Sequence, residues 1–240
     1  MADTDVAVVT GGSGGIGRAT VEELAEDHDV VVHYFSDEAG AEAAVEAATD
    51  AGSEAIAVQA DVSDRESVAA LFEEARSAFG GVDTLVNNAA APPERGFEER
   101  TAESIDRMVR VNVNGVMYCA QEVVGEMADR GYGRIVNVAS TAGLHGSPSD
   151  PVYGATKAAV AGFTRSLAKG YTENGILTNA VAPSVTDTPL LSKQRREEAA
   201  ELFPQNRIAD PSEVADAIRF LVSNSYDSGK VIEVAGGRYL

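Results

Sequence analysis

Val6-Ala7-Val8-Val9-Thr10-Gly11-Gly12-Ser13-Gly14-Gly15-Ile16-Gly17 is the stretch on which the fold turns. Val6 to Thr10 is an unbroken apolar, β-branched run, the pattern of a strand buried on both faces. A glycine-rich turn follows, then a helical pattern to about Glu26. The glycines let the backbone turn sharply and approach a ligand closely. The helix start behind them offers free N–H groups and a partial positive charge. Strand, glycine loop and helix in that order are the setting in which such a loop holds a pyrophosphate.

Outward from this unit the same alternation repeats. Further strands are expected at Val30–Tyr34, Glu54–Ala60, Thr84–Val86, Arg134–Val138, Thr178–Ala182 and Lys230–Val234. Helices are expected at about Glu38–Ala51, from a Ser63 cap to Phe79, at Thr101–Asp129, Val152–Thr172 and Ser212–Val222. Apolar strands alternating with helices predict an α/β fold, with a doubly wound parallel sheet, helices on both faces and right-handed crossovers. No internal repeat or linker interrupts residues 1–240, which read as a single domain. The irregular stretch at about 183–207 carries the charged run Lys193–Glu198 and the apolar pairs Leu190-Leu191 and Leu202-Phe203. A segment of this kind, leaving the carboxyl end of a strand, is a candidate substrate lid.

Composition narrows the functions. Asp and Glu number 38 against 19 basic residues, a net charge of −19, and only four of the basic residues are lysines. Such a surface repels nucleic acid and anionic membranes. It also repels itself unless salt screens it, so adaptation to a salt-rich cytoplasm is expected. No apolar run is long enough to span a membrane. The acidic start Met1-Ala2-Asp3-Thr4-Asp5 is unlike a signal peptide, and a cytoplasmic location is expected. Cys119 is the single cysteine, which fits a reducing compartment, and it reads as a small core residue. His28, His33 and His145 lack cysteine partners at ligand spacing, so no metal site is expected.

The chemistry lies further along. Tyr153 and Lys157 are four residues apart in a helical pattern and therefore share a face, while Ser140 stands thirteen residues before Tyr153 at the end of a strand. An ammonium beside a phenol favours the phenolate and lowers its pKa. The trio reads as a proton-transfer site.

Together with the G-x-x-x-G-x-G spacing of Gly11, Gly15 and Gly17, this trio resembles the short-chain dehydrogenase/reductase family over essentially the whole chain. Asn87-Asn88-Ala89 after the fourth strand, Asn112 within the long helix, Asp61-Val62 after the third strand, and Pro183 with Thr188 after the sixth add to the likeness. Ala90 and Ser184 stand where the family usually has glycine. The resemblance implies a Rossmann-type sheet of seven strands in the order 3-2-1-4-5-6-7. It implies that Gly11, Ser13, Gly15, Ile16 and Gly17 hold the pyrophosphate, that Asp61 and Val62 flank the adenine, and that Asn87 and Ala89 line the cleft. Val185 and Thr188 would meet the carboxamide end, and Lys157 the nicotinamide ribose. Tyr153 would be the general acid and base, with its pKa lowered by Lys157. Ser140 would hydrogen-bond the substrate oxygen. Asn112 would interrupt its helix and hold a water linking Lys157 to solvent. A homotetramer is implied, paired through the long central helices and through the last helix and strand.

The second strand ends in Tyr34-Phe35-Ser36, without the acid that accepts the ribose of NAD. Ser36 is placed to bond a 2′-phosphate, so NADP is expected. The pocket is expected from Ala91 to Gly96, Leu144 to Pro151 and Leu190 to Phe203. The whole looks most like the 3-oxoacyl-[acyl-carrier-protein] reductases, which implies a carbonyl substrate, an acyl thioester among the candidates. A sugar or secondary-alcohol dehydrogenase is the alternative. A nucleotide sensor without catalysis would be expected to lack Tyr153 or Lys157.

Overall fold

The computed structural model describes residues 4–94, 96–188 and 191–239. Seven strands form one parallel sheet: β1 (Asp5–Val9), β2 (His28–Tyr34), β3 (Ala55–Gln59), β4 (Thr84–Asn87), β5 (Gly133–Val138), β6 (Ile176–Pro183) and β7 (Val231–Val234). Their order is β3-β2-β1-β4-β5-β6-β7, as the resemblance implied. Every pairing is parallel; Val9 lies opposite Val32 on one side and Val86 on the other. The chain winds outward in both directions from the β1/β4 pair, so a crevice opens at their carboxyl ends.

Because side chains alternate along a strand, each valine run feeds two cores at once. Ala7, Val9, Val30 and Val32 pack with Val21 and Leu24 of α1 (Gly15–Leu24), the alanines of α2 (Glu38–Asp50) and Ile218 of α9 (Pro211–Ser223). Val8, Val31, Leu85 and Ile135 pack on the opposite face with Leu71 and Phe72 of α3 (Arg65–Phe79) and Val123 and Met127 of α5 (Val116–Arg130). Cys119 is buried in this second core, where burial pushes its thiol up to about 12. It is a packing residue, as expected.

Two elements differ from expectation, and the long helix is interrupted at Asn112 as the resemblance implied. Asp64, not Ser63, caps α3, accepting the Glu66 N–H at 2.9 Å. Asp61 draws Ser63 into the preceding turn by accepting its N–H at 2.8 Å. The long helix is three pieces: α4 (Ala102–Val109), a π-helical turn at Arg110–Gly115 that contains Asn112, and α5. Within 183–207, the helices α6 (Thr141–His145) and α7 (Pro151–Tyr171) having preceded it, lies a further helix, α8 (Lys193–Ala200), where the sequence suggested irregular chain. Charged residues make up most of α8, so no apolar stripe marked it. Arg95, Leu190 and the termini, which the sequence reading used, lie outside the described residues.

Candidate active site

The glycine loop leaves β1 at Thr10, whose hydroxyl accepts the N–H groups of Asn88 (2.9 Å) and Ala89 (3.0 Å). Asn88 returns the contact, its amide donating to the carbonyls of Thr10 and Gly11 at 3.0 Å each. Gly11 and Gly15 lie at φ +66° and +53°, which other residues rarely adopt. A Cβ on Gly17 would overlap the Gly11 carbonyl and the Asn88 amide.

His33 fastens the other side. Its Nδ1 accepts the Gly11 N–H at 2.9 Å, so the ring hydrogen sits on Nε2 and is shared with the Ala60 carbonyl at 3.0 Å. Burial lowers the pKa of this imidazole and keeps it neutral.

The loop fits a pyrophosphate. The start of α1 carries no side-chain cap. Every other α-helix that begins from a loop is capped by a side chain, among them Asp37, Asp64, Thr101, Asp150 and Asp210. An uncapped helix start in a cleft leaves its first N–H groups for an anion. Gly14 faces open space, and Thr188 reaches the loop, its Cγ2 lying 3.0 Å from where a Gly15 Cβ would be. Ser13, Ile16, Gly17 and Thr188 are thus brought together at one end of the crevice.

At the end of β2, Tyr34 is buried, and burial followed by the charges of Glu38 and Glu42 holds its phenol above the ordinary value. Phe35 is 58% exposed and Ser36 is exposed. Asp37 caps α2 by accepting the Gly40 N–H at 3.1 Å. Asp61 and Val62 lie beyond Ala60, beside the His33 brace. Asn87 is buried beneath the cleft, its amide donating to Asn137 at 2.9 Å and Asn137 donating to Thr164 at 2.9 Å.

Ser140 caps α6, accepting the Ala142 N–H at 3.1 Å, and stands at the carboxyl end of β5. Tyr153 and Lys157 project from α7, one turn apart. Lys157 is 3% exposed, and its Nζ donates to the Val138 carbonyl at 2.7 Å. Burial alone lowers its pKa to about 8. The Tyr153 hydroxyl does not show the expected depression by Lys157. Burial holds the phenol above its usual value, a hydrogen bond from Ser140 draws it down, and the charge of Asp150 pushes it up. The reason is geometric: the ammonium lies 5.9 Å from the ring centroid and is committed to the Val138 carbonyl.

Asn112 is fully buried in the π turn, a helix irregularity common at functional sites. It accepts the Ala91 N–H at 2.7 Å and donates to Thr156 at 3.2 Å, one residue before Lys157. Val185 lies after β6 on the wall of a cavity of about 260 Å³ shared with Phe203 and Glu233.

The roles of four residues in this arrangement escaped the sequence reading: Thr10, His33, Asn88 and Asp150. Asp150-Pro151 carried a usable signal, since Asp at a helix cap followed by Pro at the first position marks a helix start. Thr10, His33 and Asn88 act through contacts 22 to 79 residues apart in the chain, which no local pattern shows.

A family model described as short chain dehydrogenase matches residues 5–199. The chain is 42% identical over 239 residues to a cis-4-hydroxycyclohexanecarboxylate dehydrogenase of Sinomonas cyclohexanicum, covering 97% of this chain and 95% of that one. It is 37% identical over 246 residues to a 3-oxoacyl-[acyl-carrier-protein] reductase of Staphylococcus aureus, covering 100% of both. Among solved structures, an actinorhodin polyketide ketoreductase with NADPH superposes with a TM-score of 0.93 at 32% identity, covering 98% of this chain and 97% of that one.

Proposed function

The chain belongs to the short-chain dehydrogenase family, and on that premise we propose that it reduces a 3-oxoacyl thioester with a nicotinamide dinucleotide, through Tyr153, Ser140 and Lys157. The observation that carries this reading is the convergence of those three side chains at the carboxyl end of β5, beside a glycine loop left open for a pyrophosphate. When bound, nicotinamide supplies the hydride. Tyr153 delivers the proton to the carbonyl oxygen. Ser140 donates a hydrogen bond to the same oxygen, where negative charge builds. Lys157 holds positive charge beneath the ring of Tyr153. Asn112 fixes the turn from Ala91 to Thr156, and we assign it the water that links Lys157 to solvent.

The dehydrogenase of a cyclic alcohol at 42% identity favours a second reading, oxidation of a ring secondary alcohol at the same residues. For the nucleotide, Ser36 and the NADPH-bound ketoreductase support NADP. A specific observation favours NAD as the second reading: Asp37, Glu38 and Glu42 surround Tyr34 and would repel a 2′-phosphate. The segment around α8 is the proposed lid, tied to the cofactor end by the Arg196 guanidinium donating to the Thr188 carbonyl at 3.2 Å. A homotetramer is proposed on the apolar exposure of Val109 and Met117 along α4 and α5 and of Phe220 on α9.

Initial rates in molar KCl with acetoacetyl-CoA and with cis-4-hydroxycyclohexanecarboxylate, each with both nucleotides, test these readings. Fast NADPH oxidation with acetoacetyl-CoA is the expected result. Turnover of the cyclic alcohol alone would transfer the assignment to the second reading.

A further inference from the structure

Asp150 and Arg100 form an ion pair at 2.6 Å with side chains 1% and 2% exposed. Charged side chains are seldom so completely buried unless paired. The pair touches the catalytic helix directly. Asp150 Oδ1 accepts the backbone N–H of Tyr153 at 3.0 Å, capping α7. Its Oδ2 accepts both the Arg100 guanidinium and the Glu94 N–H, the latter at 2.7 Å. Arg100 also reaches the Glu94 carbonyl at 3.5 Å and Ser104 at 3.4 Å. One carboxylate thus joins the start of the helix carrying Tyr153 to the segment expected to wall the substrate pocket.

We infer that Arg100 and Asp150 are positioning residues for the proton transfer: Asp150 sets the place of Tyr153 by holding its backbone, and Arg100 cancels the negative charge that this hold brings beside the hydroxyl. The inference rests on the proposed role of Tyr153. Among the described residues, the charged groups around Tyr153 are few. Lys157 faces it from its own helix and Asp150 from the turn before. The end of β5 presents Ser140 and the π turn presents Asn112 through Thr156, all uncharged. His145 of α6 is engaged with Glu233 at 2.7 Å. Glu103, Asp106 and Arg107 lie on the exposed side of α4. Arg100 and Glu94 act through Asp150. Removing the carboxylate charge therefore favours the phenolate, and removing Arg100 alone disfavours it.

The pH dependence of alcohol oxidation, in which Tyr153 must accept a proton, reads this out. The probe is 3-hydroxybutyryl-CoA or cis-4-hydroxycyclohexanecarboxylate, whichever the protein oxidises. Asp150→Asn keeps an acceptor for the cap and removes only the charge. Its rising limb should move down by about one pH unit. In Arg100→Met the limb should move up and KM should rise as the pocket wall loosens. The double variant should return towards the parent. Limbs that do not move, or that move the same way in both single variants, would overturn the inference. If Arg100→Met does not fold, the direction of the Asp150→Asn limb decides alone. Tyr153→Phe, measured beside them, separates the two ideas: turnover surviving there would remove the role of Tyr153, whatever the pair does.

Discussion

At the residue scale the site depends on a lysine that burial makes reluctant to stay charged. Among the described residues Lys157 has one hydrogen-bond partner, the Val138 carbonyl, and its pKa is lowered to about 8. The ammonium form, which in the proposed mechanism supports proton delivery from Tyr153, is present below that value and lost above it. Reduction should therefore fall as pH rises through about 8, and in Lys157→Arg, which stays charged, any residual activity should lack that limb. A kcat/KM profile from pH 6 to 10 checks this. For folding the sense is reversed. The unfolded chain binds the proton up to the ordinary value of 10.5, so the stability cost of burying the ammonium is relieved as pH rises from about 8 towards it. Proximity of Tyr153 and Lys157 was legible from their spacing. The direction of the tyrosine's shift was not, because it depends on burial and on which oxygen the ammonium meets, and neither is written in an i, i+4 pair.

At the scale of elements, the glycine loop proposed to hold the cofactor is fixed between two strands by three side chains. Thr10 and Asn88 clamp it to the end of β4, and His33 joins it to the end of β3 through Ala60. His33→Phe would leave the Gly11 N–H without its acceptor at a cost of about 1–3 kcal/mol. Nucleotide affinity should drop by about tenfold or more, read by fluorescence titration, while unchanged affinity would show that the loop holds its shape without the imidazole. The same residue sets an acid limit. Its folded-state pKa lies below the ordinary 6.5. As pH falls below 6.5 the unfolded chain takes up the proton first, and stability declines down to the folded-state value. The strands and most helices were legible because their periods differ and glycine, Ser or Asp marked their ends. The break at Asn112 was implied by the resemblance and matched by a poor helix former in mid-helix, and α8 was obscured by its charge.

At the scale of the whole molecule, the surface carries a net charge of −19. Screening by salt shortens the reach of that repulsion to about 3 Å at 1 M. The thermal midpoint should rise steeply between 0.1 and 2 M KCl, and a flat response would remove the proposed adaptation to high salt. The doubly wound parallel sheet followed from the sequence because continuous apolar strands require cover on both faces, and its strand order from the resemblance. The buried Arg100–Asp150 pair did not, since its partners come together only when the pocket wall meets α7.

The most direct measurement compares Tyr153→Phe with the parent protein in molar KCl, for turnover of acetoacetyl-CoA or cis-4-hydroxycyclohexanecarboxylate and for nucleotide binding. Turnover lower by a factor of about 10² or more, with nucleotide affinity within about twofold, is the predicted result. Retained turnover, or equal loss of turnover and nucleotide binding, would contradict the assignment of Tyr153 as the proton donor.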